Sequence, residues 1–164
     1  MIRVLRLGAM VLGGLLLAIQ LVPYGRDHSN PPVTKEAPWA DEEGRRLAVA
    51  ACYDCHSNET DWPWYSFVAP MSWLVQRDVE RGRDDLNFSE WDRSQDDGDD
   101  MAEAVADGSM PPRNYQLLHA GARLSDDEKA ALLRALGQLP EAGDDEDDGG
   151  GGGGDRSGSN RGPG

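Results

Sequence analysis

The residues best suited to chemistry in this chain lie in one pentad, Cys52-Tyr53-Asp54-Cys55-His56. Its two cysteines are the only ones among the 164 residues, and the histidine follows the second directly. This C-x-x-C-H order is typical of covalent c-type haem attachment. Each thiol would add to one porphyrin vinyl group, and the imidazole of His56 would bind the iron from the proximal side. On a helical turn the i, i+3 and i, i+4 spacings place Cys52, Cys55 and His56 on one face.

Three other chemistries fit part of the pentad and stay open. A thioredoxin-like C-x-x-C pair expects a strand before it in a βαβ unit, whereas residues 41–51 have a helical pattern. Tetrahedral zinc needs four ligands, and only His28 and His119 remain as histidines, with no second cysteine pair. A plain structural disulfide is the third alternative. The sequence favours covalent haem over all three.

A haem iron bound to His56 would have either a sixth ligand or an open position on its other side. Met110 lies in the loop Asp107-Gly108-Ser109-Met110-Pro111-Pro112, where a glycine and two prolines favour a stiff, extended backbone. A methionine thioether opposite a histidine raises the reduction potential and suits electron transfer. We therefore predict Met110 as the distal ligand. The alternatives for this position are Met71, Met101 and His119.

An aromatic stretch, Trp62-Pro63-Trp64-Tyr65-Ser66-Phe67, follows the pentad closely. Such a stretch could wall a porphyrin, and a tryptophan or tyrosine could donate a hydrogen bond to a propionate. A small core cluster beneath a loop is the alternative. We name Trp64 and Tyr65 as additional candidate haem contacts.

Four helices are predicted to position these side chains, over residues 41–51, 71–82, 101–108 and 125–139. The first has acidic residues in its first turn, where the helix dipole favours them, and it leads into the pentad. The last opens with Ser125 and Glu128 in a capping box and carries an apolar face. Pro140 should stop it. The loop at residues 87–91 should fold its aromatic side chains back onto the core.

The chain divides into four predicted segments. Residues 1–24 are predicted to form an uncleaved membrane anchor, because Arg3 and Arg6 precede an apolar run and Ala18-Ile19-Gln20 is a poor match to an A-x-A cleavage site. A cleaved signal peptide is the alternative. Residues 25–38 contain several prolines and are predicted as an extended linker, with His28 solvated. Residues 39–140 form the haem domain. Residues 141–164, with an acidic run and six consecutive glycines, form a disordered tail.

Charge narrows the choice of partners. The formal net charge is −14 and the isoelectric point is about 4.4. Nucleic acid is therefore disfavoured as a partner, because phosphate binding requires clustered Lys and Arg. A basic redox protein, attracted electrostatically, fits better. The alternative is that the acidity serves only solubility.

The chain resembles class I cytochromes c in plan: a helix leading into C-x-x-C-H, a Met-Pro loop, and a closing helix. More closely, it resembles a small bacterial family of membrane-anchored haem-binding domain proteins. The resemblance is carried by residues 20–28, 51–60, Trp62-Pro63-Trp64-Tyr65, 86–91 and Met110-Pro111-Pro112. It covers about residues 15–140, and the acidic, glycine-rich tail departs from it.

This resemblance implies an all-α fold in which Cys52 and Cys55 carry the haem and His56 is its proximal ligand. Met110 matches the family's Met-Pro position, and distal ligation there follows from the wider cytochrome plan.

The sequence thus predicts an all-α, single-domain protein with one covalent haem c. It would be anchored in the cytoplasmic membrane, with its haem domain on the periplasmic side. One-electron transfer is its expected role, and no catalytic residues are predicted, since no Ser-His-Asp set, P-loop or dinucleotide fingerprint is found. The rival is a haem sensor or peroxidase-like protein with an open distal site. A haem-free disulfide or zinc protein is the third possibility.

Overall fold

A computed structural model of the chain describes residues 1–95, 98 and 100–143. Within these residues the fold is all-α, as predicted, and its only β-pairing is an isolated bridge between Lys35 and Glu90. Two short 3₁₀ helices, Trp64–Phe67 and Ala120–Ala122, join seven α-helices. The helices are α1 (Ile2–Ile19), α2 (Glu42–Ala51), α3 (Tyr53–His56), α4 (Met71–Asp85), α5 (Met101–Asp107), α6 (Arg113–Leu118) and α7 (Asp126–Leu136).

Most of the tail predicted at residues 141–164 lies outside the described residues.

The two best-capped helices, α2 and α7, pack against each other and support the pentad. The Asp41 side chain accepts a hydrogen bond from the backbone N–H of Gly44, and this caps α2. Gly44 packs directly on Ala135 of α7, where an added Cβ would clash. The capping box of Ser125 and Glu128 is present at the start of α7, which confirms the prediction there.

Helix α7 is shorter than predicted. It ends at Leu136 and not at the residue before Pro140, because the backbone tightens into i→i−3 hydrogen bonds at Gln138 and Leu139. Glycine at position 137 has a low helix propensity and stands at this transition. By contrast, α4 runs three residues further than predicted, to Asp85.

The core is an aromatic stack that the loop at residues 87–91 completes, as predicted. Phe88 is stacked between Trp91, at 5.8 Å, and Tyr53 of the pentad, at 5.5 Å. The three rings are buried together with Leu47 and Leu132. Because Tyr53 belongs both to this stack and to the pentad, the core holds the candidate site in place.

The sequence predicts an extended linker at residues 25–38; in the structure this segment contains no helix and is hydrogen-bonded to the domain. The backbone N–H groups of Thr34 and Ala37 donate hydrogen bonds to the carbonyls of Ser89 and Phe88. Ala37 is a buried member of the core. Proline favours extended backbone, and here that backbone pairs with the loop at residues 87–91.

The prediction of a solvated His28 is wrong. Its ring lies 4.5 Å from the ring of Trp62 and 4.3 Å from that of Phe67, and its Nε2 is 3.1 Å from the Ser66 carbonyl. The side chain is half-buried. It anchors the segment at residues 25–38 to the first 3₁₀ helix, a contact between distant parts of the chain.

Helix α1 lies apart from the core, with none of its residues buried. Its mean hydropathy is 2.0, and it is long and apolar enough to span a membrane. A signal sequence near the N-terminus would have the same properties.

Candidate haem site

A cavity of about 570 Å³ lies beside the pentad. This volume is in the range of sites that take a large organic cofactor. Its lining includes side chains of the pentad, α4, α5, α6 and the loop at residues 110–112, together with others from the first 3₁₀ helix and α7. The apolar part of this lining includes Val79, Leu86, Phe88, Val105 and Leu136.

The cavity brings together most of the predicted site residues. Cys52, Cys55, His56, Tyr65 and Met110 all lie on its lining. Trp64 lies outside that lining, with 79% of its surface exposed to solvent. We divide the lining by sequence into the pentad wall (lining residues between positions 51 and 88) and the methionine wall (those between 100 and 119), with Leu136 of α7 in neither.

His56 is held in the orientation that an iron ligand needs. Its Nδ1 is 3.1 Å from the carbonyl oxygen of Leu86. Because a carbonyl can only accept a hydrogen bond, Nδ1 carries the proton and Nε2 keeps its lone pair. Donation from one ring nitrogen to a backbone carbonyl is the usual way in which metal-binding histidines are oriented. The backbone of His56 is fixed as well, since its carbonyl accepts from the N–H of Phe88 at 2.8 Å.

The two cysteines stand where α2 gives way to α3. Cys52 caps both helices and packs against the core, and Cys55 lies one turn later. Both are free thiols. Burial raises the pKa of each to about 12, with a smaller contribution from Cys55 at Cys52 and from Asp54 at Cys55. A redox-active C-x-x-C pair has a lowered thiol pKa, so this environment disfavours the thioredoxin-like alternative.

The zinc-site alternative lacks a suitable set of ligands in the described part of the chain. Over residues 1–95, 98 and 100–143, no group of three or more His, Cys, Asp or Glu side chains is placed to hold a metal ion.

Helix α4 comes very close to the backbone of the pentad at a glycine. A Cβ added at Gly82 would lie 2.5 Å from the carbonyl oxygen of Cys55, closer than any real Cβ contact. One residue on, Arg83 Nε donates a hydrogen bond to the Ser57 carbonyl at 2.8 Å. It also reaches Thr60 Oγ1 at 3.0 Å through its terminal nitrogen. The pentad is therefore held by α4 and, from its C-terminal side, by Arg83.

Met110 lies on a short loop that the backbone holds at both sides. Its N–H donates to the Ala104 carbonyl at 2.9 Å, and the hydroxyl of Ser109 donates to the same oxygen. Gly108 ends α5 with φ +81°, a conformation that favours glycine. The side chain of Met110 is 39% exposed, so it lies at an open part of the cavity.

The three alternatives to Met110 line the same cavity: Met71, Met101 and His119. Met101 packs against the core. His119 has both ring nitrogens in polar contacts, Nδ1 with the Tyr115 carbonyl at 3.1 Å and Nε2 with the Tyr65 hydroxyl at 3.4 Å.

A partly buried polar contact that sequence reasoning missed links the two walls. The Tyr115 hydroxyl donates a 2.6 Å hydrogen bond to Asp54 of the pentad. Burial raises the pKa of Tyr115, and the bond to Asp54 raises it further. His119 stacks on Tyr115 with ring centroids 3.9 Å apart. The i, i+4 spacing of Tyr115 and His119 would have revealed this stack, but nothing local connects Tyr115 with Asp54.

A helical domain whose cavity presents two thiols and an oriented imidazole has the features of a haem-binding protein. Comparison with known families agrees, since the model of the haem-binding domain family matches residues 14–138. The chain belongs to this family, and it is a haem-binding protein. Comparison with curated proteins and with solved structures finds no match.

Proposed function

We propose that the protein carries one haem c, attached through Cys52 and Cys55, and that it transfers single electrons outside the cytoplasmic membrane. The observation that carries this proposal is the hydrogen bond from His56 Nδ1 to Leu86, which leaves Nε2 free on the same cavity lining as both thiols. A haem bound there supplies a one-electron iron couple.

The residues fit such a group. The pentad wall would hold it covalently through Cys52 and Cys55 and present the His56 imidazole to its iron. The apolar lining excludes water and so favours a bound porphyrin. Arg77 and Arg81 of α4 also line the cavity and offer positive charge for propionate groups.

Met110 is the proposed distal ligand. This proposal is supported by the loop around Met110, which lines the cavity. Hydrogen bonds to the Ala104 carbonyl hold the loop on one side of Met110, and the prolines at 111 and 112 stiffen it on the other. Met101 is engaged in core packing, and His119 would have to give up two polar contacts to bind iron.

The proposed location rests on the hydropathy of α1, and the proposed partner rests on the net charge. Helix α1 is proposed as an uncleaved anchor, with Arg3 and Arg6 on the cytoplasmic side and the haem domain on the periplasmic side. The net charge of −14 favours a basic redox partner.

A second function is favoured by the polar side chains that line the cavity. Tyr115, His119 and Tyr65 lie on the lining, and such groups could serve a bound peroxide or gas molecule if the distal position is open. The protein would then be a haem sensor or a peroxidase-like enzyme.

Spectroscopy of the full chain, produced with an intact cytochrome c maturation system, separates these functions. Haem staining should survive denaturing electrophoresis, because thioether bonds resist it. The oxidised protein should show the weak far-red band of methionine-ligated haem and should not bind CO readily when reduced. Loss of the stain would refute covalent attachment, whereas rapid CO binding would refute distal ligation and support the second function.

A further inference from the structure

The end of α1 is fixed to the haem domain and does not hang from it. The Gln20 side chain makes a paired contact with the backbone of Ala69, donating from Nε2 to the carbonyl and accepting from the N–H at Oε1, both at 3.0 Å. The Arg26 guanidinium donates to the Gln20 carbonyl and braces this junction.

Two further contacts lie just beyond the helix. Gly25, with φ +79°, sits so close to Ser72 that an added Cβ would be 2.6 Å from its carbonyl oxygen. The Tyr24 hydroxyl donates a 2.9 Å hydrogen bond to Glu80. Helix α1 therefore ends against the start of α4 and the loop before it.

Large apolar side chains are exposed beside this junction. Trp64 is 79% exposed and Phe67 is 65% exposed, and Val68 next to Ala69 is also exposed. On the α1 side of the junction, Leu21 and Val22 are exposed as well. Contiguous exposed apolar residues of this size mark contact surfaces in soluble domains. We call Trp64, Phe67 and Val68 the aromatic patch.

The surroundings of the aromatic patch lack charge. Neither residues 62–76 nor residues 7–25 contain a single Asp, Glu, Lys or Arg, although 28% of the chain is charged. These two neutral stretches are the ones that Gln20 and Ala69 join. A neutral, aromatic surface next to an apolar helix end has the composition of a protein region at the lipid–water interface.

The patch is already formed in the folded domain. His28 packs edge-on against Phe67 from the inside, at 4.3 Å between ring centroids, and Ser66 bonds back to Pro63 through its hydroxyl. On the same 3₁₀ helix, Tyr65 lines the haem cavity. The 3₁₀ helix Trp64–Phe67 thus contributes Trp64 and Phe67 to the aromatic patch and Tyr65 to the cavity lining.

We propose that the aromatic patch lies in the lipid surface in which α1 is anchored, so that the domain has a second membrane contact and its cavity a fixed position near the bilayer. This inference rests on the membrane anchoring given under the proposed function. The occupant is lipid and not a partner protein, because the contacts of Gln20 place the patch at the end of the membrane helix.

Photo-crosslinking of the full, haem-loaded chain tests this contact. Benzoylphenylalanine replaces Phe67 in one variant and Val49 in another, and each is reconstituted into phosphatidylcholine vesicles. Val49 is a matched control, since it is an exposed apolar residue on α2, a helix that does not contact the 3₁₀ helix Trp64–Phe67. After irradiation, mass spectrometry should find lipid adducts roughly ten-fold more often at position 67 than at 49, as expected for a residue in the interface.

The outcomes separate the two proposals. A chain that does not float with the vesicles overturns the anchoring and the patch contact together. A chain that floats but gives equal lipid labelling at positions 67 and 49, or adducts to a second copy of the chain, overturns the patch contact alone. If the substitution at 67 alters the haem spectrum, the same replacement at Trp64 repeats the test, and equal labelling there overturns the contact as well.

Discussion

The two walls of the cavity are built differently. The pentad wall includes α4, which packs on the pentad, and it is held further by the packing of α2 on α7 and by the stack of Tyr53 on Phe88. In the methionine wall, α6 has no buried residue, and Met110 is 39% exposed. The pentad wall is thus anchored by buried packing, whereas the methionine wall is anchored at α5, through Val105, and is more exposed at α6 and Met110. We therefore expect substitutions of the cysteines in the pentad wall to abolish covalent haem attachment. Substitutions in the methionine wall should change the spectrum and the reduction potential and leave the haem attached.

The largest effect is expected from the cysteines. Replacing both Cys52 and Cys55 by alanine should remove all covalent haem, because these are the only thiols in the chain. The measurement is haem staining after denaturing electrophoresis, with mass spectrometry of the intact chain. A single variant, Cys55→Ala, is the control and should retain one thioether bond. Covalent haem in the double variant would contradict the assignment.

The next effect concerns the backbone contact between α4 and the pentad. Gly82→Ala should destabilise the domain by about 2 kcal/mol, because the new methyl group overlaps the Cys55 carbonyl at 2.5 Å. Denaturant unfolding measures the loss. Gly121→Ala is the matched control, since nothing lies within 4 Å of its added Cβ. Equal unfolding free energies of the two variants would contradict the prediction, because they would show that α4 can move away from Cys55 at little cost.

On the methionine wall, Met110→Ala should leave the domain folded and its haem attached. It should remove the far-red band and lower the reduction potential, because a thioether stabilises the reduced iron. Redox titration and absorption spectra measure both. Met71→Ala, at a position with the same exposure, should leave the spectrum unchanged. If Met71→Ala removes the band and Met110→Ala does not, the ligand is Met71.

The smallest effect is a pH dependence of folding stability that arises from the contact between Tyr115 and Asp54. The pKa of Tyr115 is raised from 10.0 by burial and by Asp54, so the folded state keeps this proton when the unfolded chain has lost it. The stabilisation by Tyr115 is therefore complete below about pH 10 and decreases as the pH rises beyond it. Tyr115→Phe should weaken this alkaline loss of stability in the haem-loaded protein, in which the cysteines no longer titrate. The measurement is the free energy of unfolding as a function of pH above 10. An identical decrease in the unsubstituted protein and in Tyr115→Phe would contradict the prediction.

Several elements could be predicted because their signals are local. Ser125 and Glu128 form a capping box within one turn, and Asp41 caps α2 from the adjacent position. The membrane-length helix α1 follows from composition alone. By contrast, the prediction that His28 is solvated failed, since the proline-containing sequence around it gives no sign of the distant rings on which it packs.

By itself, the sequence determined the cofactor class and the helices α1, α2, α4, α5 and α7, because the C-x-x-C-H pentad, the caps and the apolar periodicity act over a few residues. Helix α6 was not predicted. Only the tertiary structure decided that Leu86 orients His56, that Tyr115 bonds to Asp54, and that Gln20 joins α1 to Ala69. These contacts link residues 30 to 61 positions apart. Such pairings are stabilised by burial and geometry that exist only after the chain has packed, so no local pattern specifies them.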